Sequence, residues 1–218
     1  MVNTIVFCVV VVIFRVVLGL AIAYALNSKM TKHKTFFRTV FYMPTVTPLV
    51  AVAYVWMIMY NPQFGLIDKI FGIDINWLYD SKFALPSLMI MTIWKDFGYA
   101  VILFLSGLLS LPADCYESAS IDGANAWQTF RYITLPLLKP TMLFVVVTSI
   151  ISYLQAYVPV LVMTKGGPGT STYLSSYLVY DQAFKQYNFG YASAISLFIL
   201  VLTAIFTVIS FRVTGEKN

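Results

Sequence analysis

Long uninterrupted apolar stretches dominate the pattern of hydrophobic and polar positions along this chain. A helix needs about 20 residues to cross the hydrocarbon core of a bilayer, and stretches of this length recur here. The strands of a membrane barrel would instead alternate polar and apolar side chains. The pattern therefore predicts an all-α, polytopic transmembrane helical bundle. Its five predicted spans are residues 4–26, 36–60, 85–111, 142–164 and 191–213.

The composition also favours a membrane protein. Of the 218 residues, 60% are hydrophobic and 11% are charged, whereas a soluble domain is about half apolar and a quarter charged. Too little polar surface remains to cover a water-soluble globule, so the lipid bilayer is the expected surrounding. The net charge of +5 arises from basic residues in loops beside the spans, and no nucleic-acid partner is expected.

The basic residues are divided unequally between the two sides of the predicted spans. The positive-inside rule places the richer side in the cytoplasm. That side would carry Lys29, Lys32, Lys34, Arg38, Arg131, Lys139, Arg212 and Lys217. The opposite side would carry Lys69, Lys82, Lys165 and Lys185, offset by Asp68, Asp74, Asp80 and Asp181. The C-terminus is therefore expected to be cytoplasmic.

This topology leaves the first span without a basic anchor before it, because five crossings put Met1 outside. Neither a positive leading region nor a small-residue cleavage site marks a signal peptide. We therefore expect a sixth helix upstream of Met1. Residues 1–218 are expected to form a single transmembrane domain, because the segments between spans are too short to bury a core of their own.

The most informative segment is the predicted cytoplasmic loop at residues 112–140. Asp114 and Glu117 have the spacing of a capping box, which would open a first helix. Asp122-Gly123 is a turn signal that would end this helix, and Asp122 is also a candidate cap for a second helix. Small side chains around the turn suit insertion into a groove on another protein. The residues alone equally allow an amphipathic loop that rests on the membrane surface.

The second helix of the loop is predicted to carry Trp127, Phe130 and Ile133 on one face, because these residues recur every three positions. Leu135-Pro136 is expected to end it, because proline cannot continue the hydrogen-bonding pattern of a helix.

The same loop resembles the signature of permeases from binding-protein-dependent ABC importers. That signature is Glu-Ala-Ala, three residues, Gly, nine residues, Ile, one residue and Leu-Pro. The matching positions are Glu117, Ala119, Gly123, Ile133, Leu135 and Pro136, with Ser118 in place of the middle alanine. Over nearly the whole chain, the similarity is greatest to carbohydrate-uptake permeases of the maltose and glycerol-phosphate type. Outside the loop it rests on Gly19, Pro44, Trp56, Trp94, Gly166-Gly167-Pro168 and Gly190-Tyr191-Ala192.

This resemblance implies a function and a set of partners. The chain would form half of the translocation pathway for a sugar, an oligosaccharide or glycerol phosphate, in the cell membrane of a prokaryote. Its partners would be a second homologous permease, two ATP-binding subunits and an extracellular or periplasmic solute-binding protein. The loop would couple the chain to the ATPase. The residues implied at that contact are Glu117, Ser118, Ala119, Asp122, Gly123, Ile133, Leu135 and Pro136.

No catalytic chemistry is expected from the chain itself. It has no Gly-x-x-x-x-Gly-Lys-Ser/Thr loop to hold nucleotide phosphates, and its glycine-rich residues 166–169 are expected to form a tight external turn. His33 is the only histidine, and Cys8 and Cys115 are the only cysteines. Neither a Ser-His-Asp triad nor a metal cluster is therefore predicted, and no cofactor is expected.

Ionisable residues inside the third span are candidates for the transport path, because charges at membrane depth usually face a cavity or a partner. Lys95 and Asp96 lie there beside Trp94, whose ring can stack on a sugar. The alternative is an internal ion pair that fixes helix packing. Gln155 and Tyr157 in the fourth span are further candidates, as hydrogen-bonding partners of a sugar.

Three further residues in the spans carry expectations. Arg15 in the first span is expected either to pair with Asp96 or to reach a cavity, and Pro44 and Pro48 are expected to kink the second span. A stand-alone secondary transporter of a small polar solute is the alternative function, with Asp96 as its coupling carboxylate. A membrane enzyme is a weaker alternative, because no cluster of catalytic groups lies at one depth.

Overall fold

The computed structural model describes residues 1–28 and 32–214. Within these ranges every regular element is a helix, as the apolar pattern predicts. Lys29 and Lys217, which were assigned to the cytoplasmic side, lie outside the described residues. The α-helices are α1 (Val2–Asn27), α2 (Lys34–Val46), α3 (Leu49–Met59), α4 (Leu66–Phe71), α5 (Ala84–Leu109), α6 (Ala113–Ile121), α7 (Ala126–Thr129), α8 (Leu135–Leu137), α9 (Lys139–Leu154), α10 (Val158–Met163), α11 (Ser175–Tyr180) and α12 (Phe189–Thr214). Two π-helical turns, Phe130–Thr134 and Asp181–Lys185, follow α7 and α11.

The number of predicted spans is compatible with these helices. Three unbroken helices in the described chain are long and apolar enough to cross a membrane: α1, α5 and residues Phe189–Arg212 of α12. Two bent pairs raise the possible number of crossings to five. One pair is α2 with α3, and the other is the α7–α8 segment with α9.

Helix α1 packs along α5 and α9. Its buried side chains recur every three or four positions, as one face of a helix requires, and include Phe7, Val11 and Ala23. A Cβ atom on Gly19 would lie 2.6 Å from Cβ of Ala100 on α5. Glycine is therefore what allows α1 and α5 to approach this closely.

The second predicted span, residues 36–60, is divided into two helices at Pro48, one of the two prolines that were expected to kink it. The chain turns by 95° between α2 and α3. Thr47 is extended, with φ −68° and ψ 136°, as a residue before proline prefers. Pro48 has no N–H to continue the helix, so the bend lies here, whereas Pro44 lies inside α2.

The fourth predicted span, residues 142–164, is also interrupted. Helix α9 ends at Leu154 and α10 begins at Val158. Pro159 lies in the first turn of α10, where it cannot donate a hydrogen bond to the carbonyl of Gln155. Gln155 and Pro159 were the available signals for this break within a stretch that is otherwise largely apolar.

The segment after α10 forms the expected tight turn and holds the start of α1. Lys165, Gly166 and Gly169 have φ of 53°, 91° and 59°. The Asn3 side-chain amide donates to the carbonyls of Thr170 and Ser171 at 2.9 and 3.0 Å. The N-terminal end of α1 is therefore fixed to this turn.

A polar cluster closes the π-helical turn after α11. Asp181 accepts a hydrogen bond from the Tyr173 hydroxyl at 2.7 Å and pairs with Lys185 at 2.9 Å. Lys185 in turn donates to the Tyr177 hydroxyl at 2.7 Å. The hydrogen bonds from Lys185 and Tyr173 hold the pKa of Asp181 below its ordinary value.

Candidate functional site

The turn at Gly123 is a glycine-terminated helix end of the Schellman type. Gly123 has φ +76° and donates to the carbonyl of Ser120 at 3.2 Å. Ala124 donates to the carbonyl of Ala119 at 2.9 Å. These two bonds satisfy carbonyls that the end of α6 would leave without partners. The predicted turn at Asp122-Gly123 is confirmed.

The helix caps of the loop differ from the predicted ones. Helix α6 begins after Pro112 without a side-chain cap, so Asp114 and Glu117 form no capping box. Helix α7 is capped by Asn125 and not by Asp122. The Asn125 side chain accepts from the Gln128 N–H at 2.9 Å, and the Gln128 side chain accepts from the Asn125 N–H at 2.8 Å. The sequence contains this Asn-x-x-Gln spacing, which sequence reasoning missed.

The second half of the loop is less regular than predicted. The π-helical turn Phe130–Thr134 widens the helix, so a three-residue spacing does not carry one face through Ile133. Trp127 and Phe130 do meet, with ring centroids 5.9 Å apart. Leu135 and Pro136 lie within α8 and do not end the helix. The bend of 64° comes between Leu137 and Lys139.

Two contacts attach the loop to the bundle and to itself. The rings of Tyr24 at the end of α1 and Phe130 lie edge to face, with centroids 4.8 Å apart. The hydroxyls of Tyr116 on α6 and Thr134 on the π-helical turn are 3.1 Å apart. The two halves of the loop are thereby held as one folded unit.

Most residues implied at the coupling contact are accessible. Glu117, Ser118, Asp122, Gly123 and Pro136 are exposed, and Ile133 and Leu135 are half-buried. Ala119 is only 6% exposed. Its side chain is buried within the loop, and its carbonyl accepts from the Ala124 N–H inside the turn.

The loop also exposes large apolar side chains, of which sequence reasoning singled out Trp127 but neither Ile121 nor Tyr132. Ile121, Trp127 and Tyr132 are 86%, 69% and 71% exposed. A recess of about 620 Å³ lies between the two halves of this loop and is lined in part by Ser118, Gln128 and Leu137. Another recess, of about 740 Å³, lies outside the loop beside α11 and α12. The sequence could have indicated this apolar surface, because large apolar residues stand out in a loop that is otherwise rich in small and polar residues.

Arg15 and Asp96 do not form a direct ion pair, contrary to one of the two expectations for Arg15. The Arg15 guanidinium donates to the hydroxyls of Ser149 and Tyr153 on α9 at 3.0 and 3.3 Å. The Tyr153 hydroxyl donates to a carboxylate oxygen of Asp96 at 3.1 Å. Tyr153 therefore links the cation on α1 to the carboxylate on α5.

Lys95 and Asp96 contact each other within α5. Their charged atoms lie 3.4 Å apart, and their side chains are 11% and 26% exposed. Lys95 also donates to the carbonyl of Thr45 on α2 at 3.2 Å. The internal ion pair is thus present within α5, the bond to Thr45 joins α5 to α2, and Asp96 keeps an accessible edge.

The five candidate pathway residues do not line a single cavity. Gln155 and Tyr157 line a groove of about 740 Å³ beside α11 and α12, which Trp94, Lys95 and Asp96 do not line. Trp94 is 43% exposed, and its ring packs edge to face on Trp56 with centroids 5.6 Å apart. No group of three or more His, Cys, Asp or Glu side chains that could hold a metal ion occurs among the described residues.

The family model of the binding-protein-dependent transport system inner membrane component matches residues 15–215. The chain belongs to this family. It is therefore a permease subunit of a binding-protein-dependent importer, located in the membrane, and ATP is hydrolysed by a separate subunit. The alternatives of a stand-alone secondary transporter and of a membrane enzyme are rejected.

Curated relatives of this permease come from archaea and bacteria. A probable ABC transporter permease of Pyrococcus horikoshii is 38% identical over 208 residues, which cover 92% of this chain and 70% of the relative. The trehalose/maltose transport system permease MalF of Thermococcus litoralis is 36% identical, with coverage of 96% and 72%. The multiple sugar-binding transport system permease MsmF of Streptococcus mutans is 34% identical, with coverage of 98% and 74%.

Solved structures share the fold of the permease. A chain of a bacterial alginate ABC transporter, solved with a pentasaccharide-bound periplasmic protein, superposes with a TM-score of 0.89 at 22% identity. The match covers 99% of this chain and 78% of that chain. A chain of the MetNI methionine ABC transporter gives a TM-score of 0.67 at 17% identity, with coverage of 97% and 91%.

Proposed function

We propose that this permease forms half of the path for a sugar, an oligosaccharide or glycerol phosphate, and that residues 112–140 couple it to a separate ATPase. The observation that supports this proposal most directly is the exposed unit formed by α6, the Gly123 turn and α7. Glu117 and Gly123 lie on its surface, and the Schellman bonds and the Asn125 cap fix its shape. A pre-shaped projection loses little conformational entropy when it enters a groove.

The chemistry of the surface supports docking on a protein. Ile121, Trp127 and Tyr132 expose apolar area beside the carboxylates of Glu117 and Asp122. Apolar and aromatic side chains bordered by charges are typical of the centre and rim of a protein interface. The proposed partner is an ATP-binding subunit, and the complete assembly holds two of them.

The remaining partners follow from the family and from relatives. A second homologous permease would supply the other half of the path, and an extracellular or periplasmic binding protein would deliver the solute. Relatives named for trehalose/maltose and multiple-sugar transport support a carbohydrate as the solute. The loop and the C-terminus would face the cytoplasm, as the distribution of basic residues favours.

Five residues are proposed to touch the solute on its way. Trp94 presents a half-exposed ring, and Lys95 and Asp96 reach the same level of α5. Gln155 and Tyr157 offer an amide and a phenol to the groove beside α12. Because the three residues on α5 and the pair Gln155 and Tyr157 line different surfaces, we propose that the two sets contact the solute at successive stages of transport.

Co-purification from detergent tests the coupling role. Glu117→Ala and Gly123→Val are expected to reach the membrane in normal amounts, but to lose the ATPase and solute uptake. Asp114→Ala is the matched control, because Asp114 is an exposed acidic residue on the same helix that forms no cap. Retention of the ATPase and of ATP-driven uptake by both test variants would contradict the proposal.

A further inference from the structure

A buried cation without a carboxylate partner lies in the middle of the bundle. Arg15 stands halfway along α1 and is 6% exposed. Its guanidinium lies over the rings of Tyr99 and Tyr153, 5.4 and 5.6 Å from their centroids. Nε of Arg15 is buried and has no hydrogen-bond partner among the described residues. Because arginine remains ionised, its buried charge is costly unless something negative compensates it.

The surrounding helices do not supply enough negative charge. In the described ranges, Asp96 is the only acidic residue of α1, α2, α3, α5, α9, α10 and α12. Asp96 already contacts Lys95 at 3.4 Å and reaches Arg15 only through Tyr153. Two basic side chains thus share one carboxylate, and the cluster has one surplus positive formal charge.

One edge of this cluster is open to an incoming group. The side chain of Asp96 is 26% exposed and that of Lys95 is 11% exposed, whereas Arg15 lies behind them. Displacement of Tyr153 would free one N–H of Nη1, in addition to the N–H of Nε, which has no partner among the described residues. Guanidinium N–H groups form strong, charge-assisted hydrogen bonds with a carboxylate or a phosphate.

We propose that the Arg15–Lys95–Asp96 cluster receives an anionic group of the transported solute, a carboxylate or a phosphate, and that Arg15 determines this specificity. The inference rests on the proposed function, since a transport path is what brings a solute to this depth. An anion would neutralise the surplus charge and occupy the free Nε. A neutral sugar would leave that charge uncompensated, and this difference is the basis of discrimination.

The first experiment uses the complete importer in vesicles, with its own binding protein and ATPase. Paired probes differ in one anionic group: maltose against maltobionate, digalactose against digalacturonate, and glycerol against glycerol 3-phosphate. For a transported pair, we expect kcat/KM for the anion to exceed that of the neutral probe at least tenfold. Preference for the neutral probe overturns the inference and leaves the proposed function intact. If no probe and no natural extract gives ATP-dependent uptake, both this inference and the proposed function are contradicted.

The second experiment uses variants and the ratio of KM values within a pair. Arg15→Gln is expected to raise KM for the anion by roughly 10- to 100-fold while changing KM for the neutral probe little. Arg15→Lys, which keeps the charge, should recover part of the loss. Lys95→Gln, at the accessible edge, provides a second test if Arg15→Gln fails to assemble. A purely structural role would lower the amount of complex without changing the ratio, and that result overturns the inference.

Discussion

Thr45 on α2 and Lys95 on α5 exchange a reciprocal pair of hydrogen bonds. The Thr45 hydroxyl donates to the carbonyl of Lys95 at 3.0 Å, and Nζ of Lys95 donates to the carbonyl of Thr45 at 3.2 Å. Thr45 stands just before the 95° bend between α2 and α3. The pair therefore fixes the end of α2 from which the chain changes direction.

Removing the Thr45 hydroxyl should weaken this connection. Thr45→Val is nearly isosteric and is expected to lower the free energy of unfolding by about 0.5–1.5 kcal/mol, the net contribution of one hydrogen bond. Thermal unfolding of the purified protein measures the effect. Thr39→Val is the control, because the Thr39 hydroxyl bonds only to the carbonyl of Thr35 in the same helix. Equal shifts for both variants would show that the contact between α2 and α5 contributes nothing.

Gly98 is expected to tolerate no side chain. A Cβ atom there would collide with the carbonyl oxygen of Phe41 on α2, which is main chain and cannot rotate away. Gly98→Ala should therefore destabilise the protein by about 1–3 kcal/mol, as overpacking does. Gly190→Ala in α12 is the control, because its Cβ would meet nothing within 4 Å. An unchanged melting temperature for Gly98→Ala would exclude this packing of α2 on α5.

Substitution of Asn125 and of Asp122, one at a time, tests which of the two residues caps α7. Asn125→Ala removes the capping box and should cost about 1 kcal/mol locally. Amide exchange in residues 126–134 should then become roughly fivefold faster, since 1.4 kcal/mol corresponds to a factor of ten. Asp122→Ala should leave exchange unchanged, because Asp122 caps no helix through its side chain. Faster exchange in Asp122→Ala alone would support the cap expected from the sequence.

Asp181 should contribute acid-sensitive stability outside the membrane-spanning segments. Its pKa is lowered by hydrogen bonds from Lys185 and Tyr173, so its stabilisation is fully present above the unfolded pKa of about 3.9. The stabilisation is lost as the pH falls below that value through the folded pKa. Asp181→Asn should therefore melt below the unmodified protein at pH 6, with a difference that shrinks below about pH 4. Asp74→Asn is the control at an exposed aspartate, and a pH-independent difference for Asp181→Asn would contradict the expectation.

Local sequence chemistry was sufficient for several features. The long apolar runs located α1, α5 and α12, because a span needs a length of apolar residues and little else. Asp122-Gly123 located the turn, because glycine adopts the positive φ of 76° without strain. The choice between Asp122 and Asn125 as the cap could not be made this way, since either residue type can accept from a helix N–H.

The amino-acid sequence alone predicted a membrane-embedded helical bundle with a glycine-broken loop, because hydrophobic length and turn chemistry act over short distances. The permease family was indicated by the resemblance of that loop to a known signature. Packing established that Tyr153 joins Arg15 to Asp96, residues 138 and 57 positions away from it. Packing also placed Gln155 and Tyr157 in a groove that the charged pair on α5 does not line. The physical reason is that hydrogen bonds require atoms about 3 Å apart. Which distant side chains come that close depends on how whole helices bend and lie against one another.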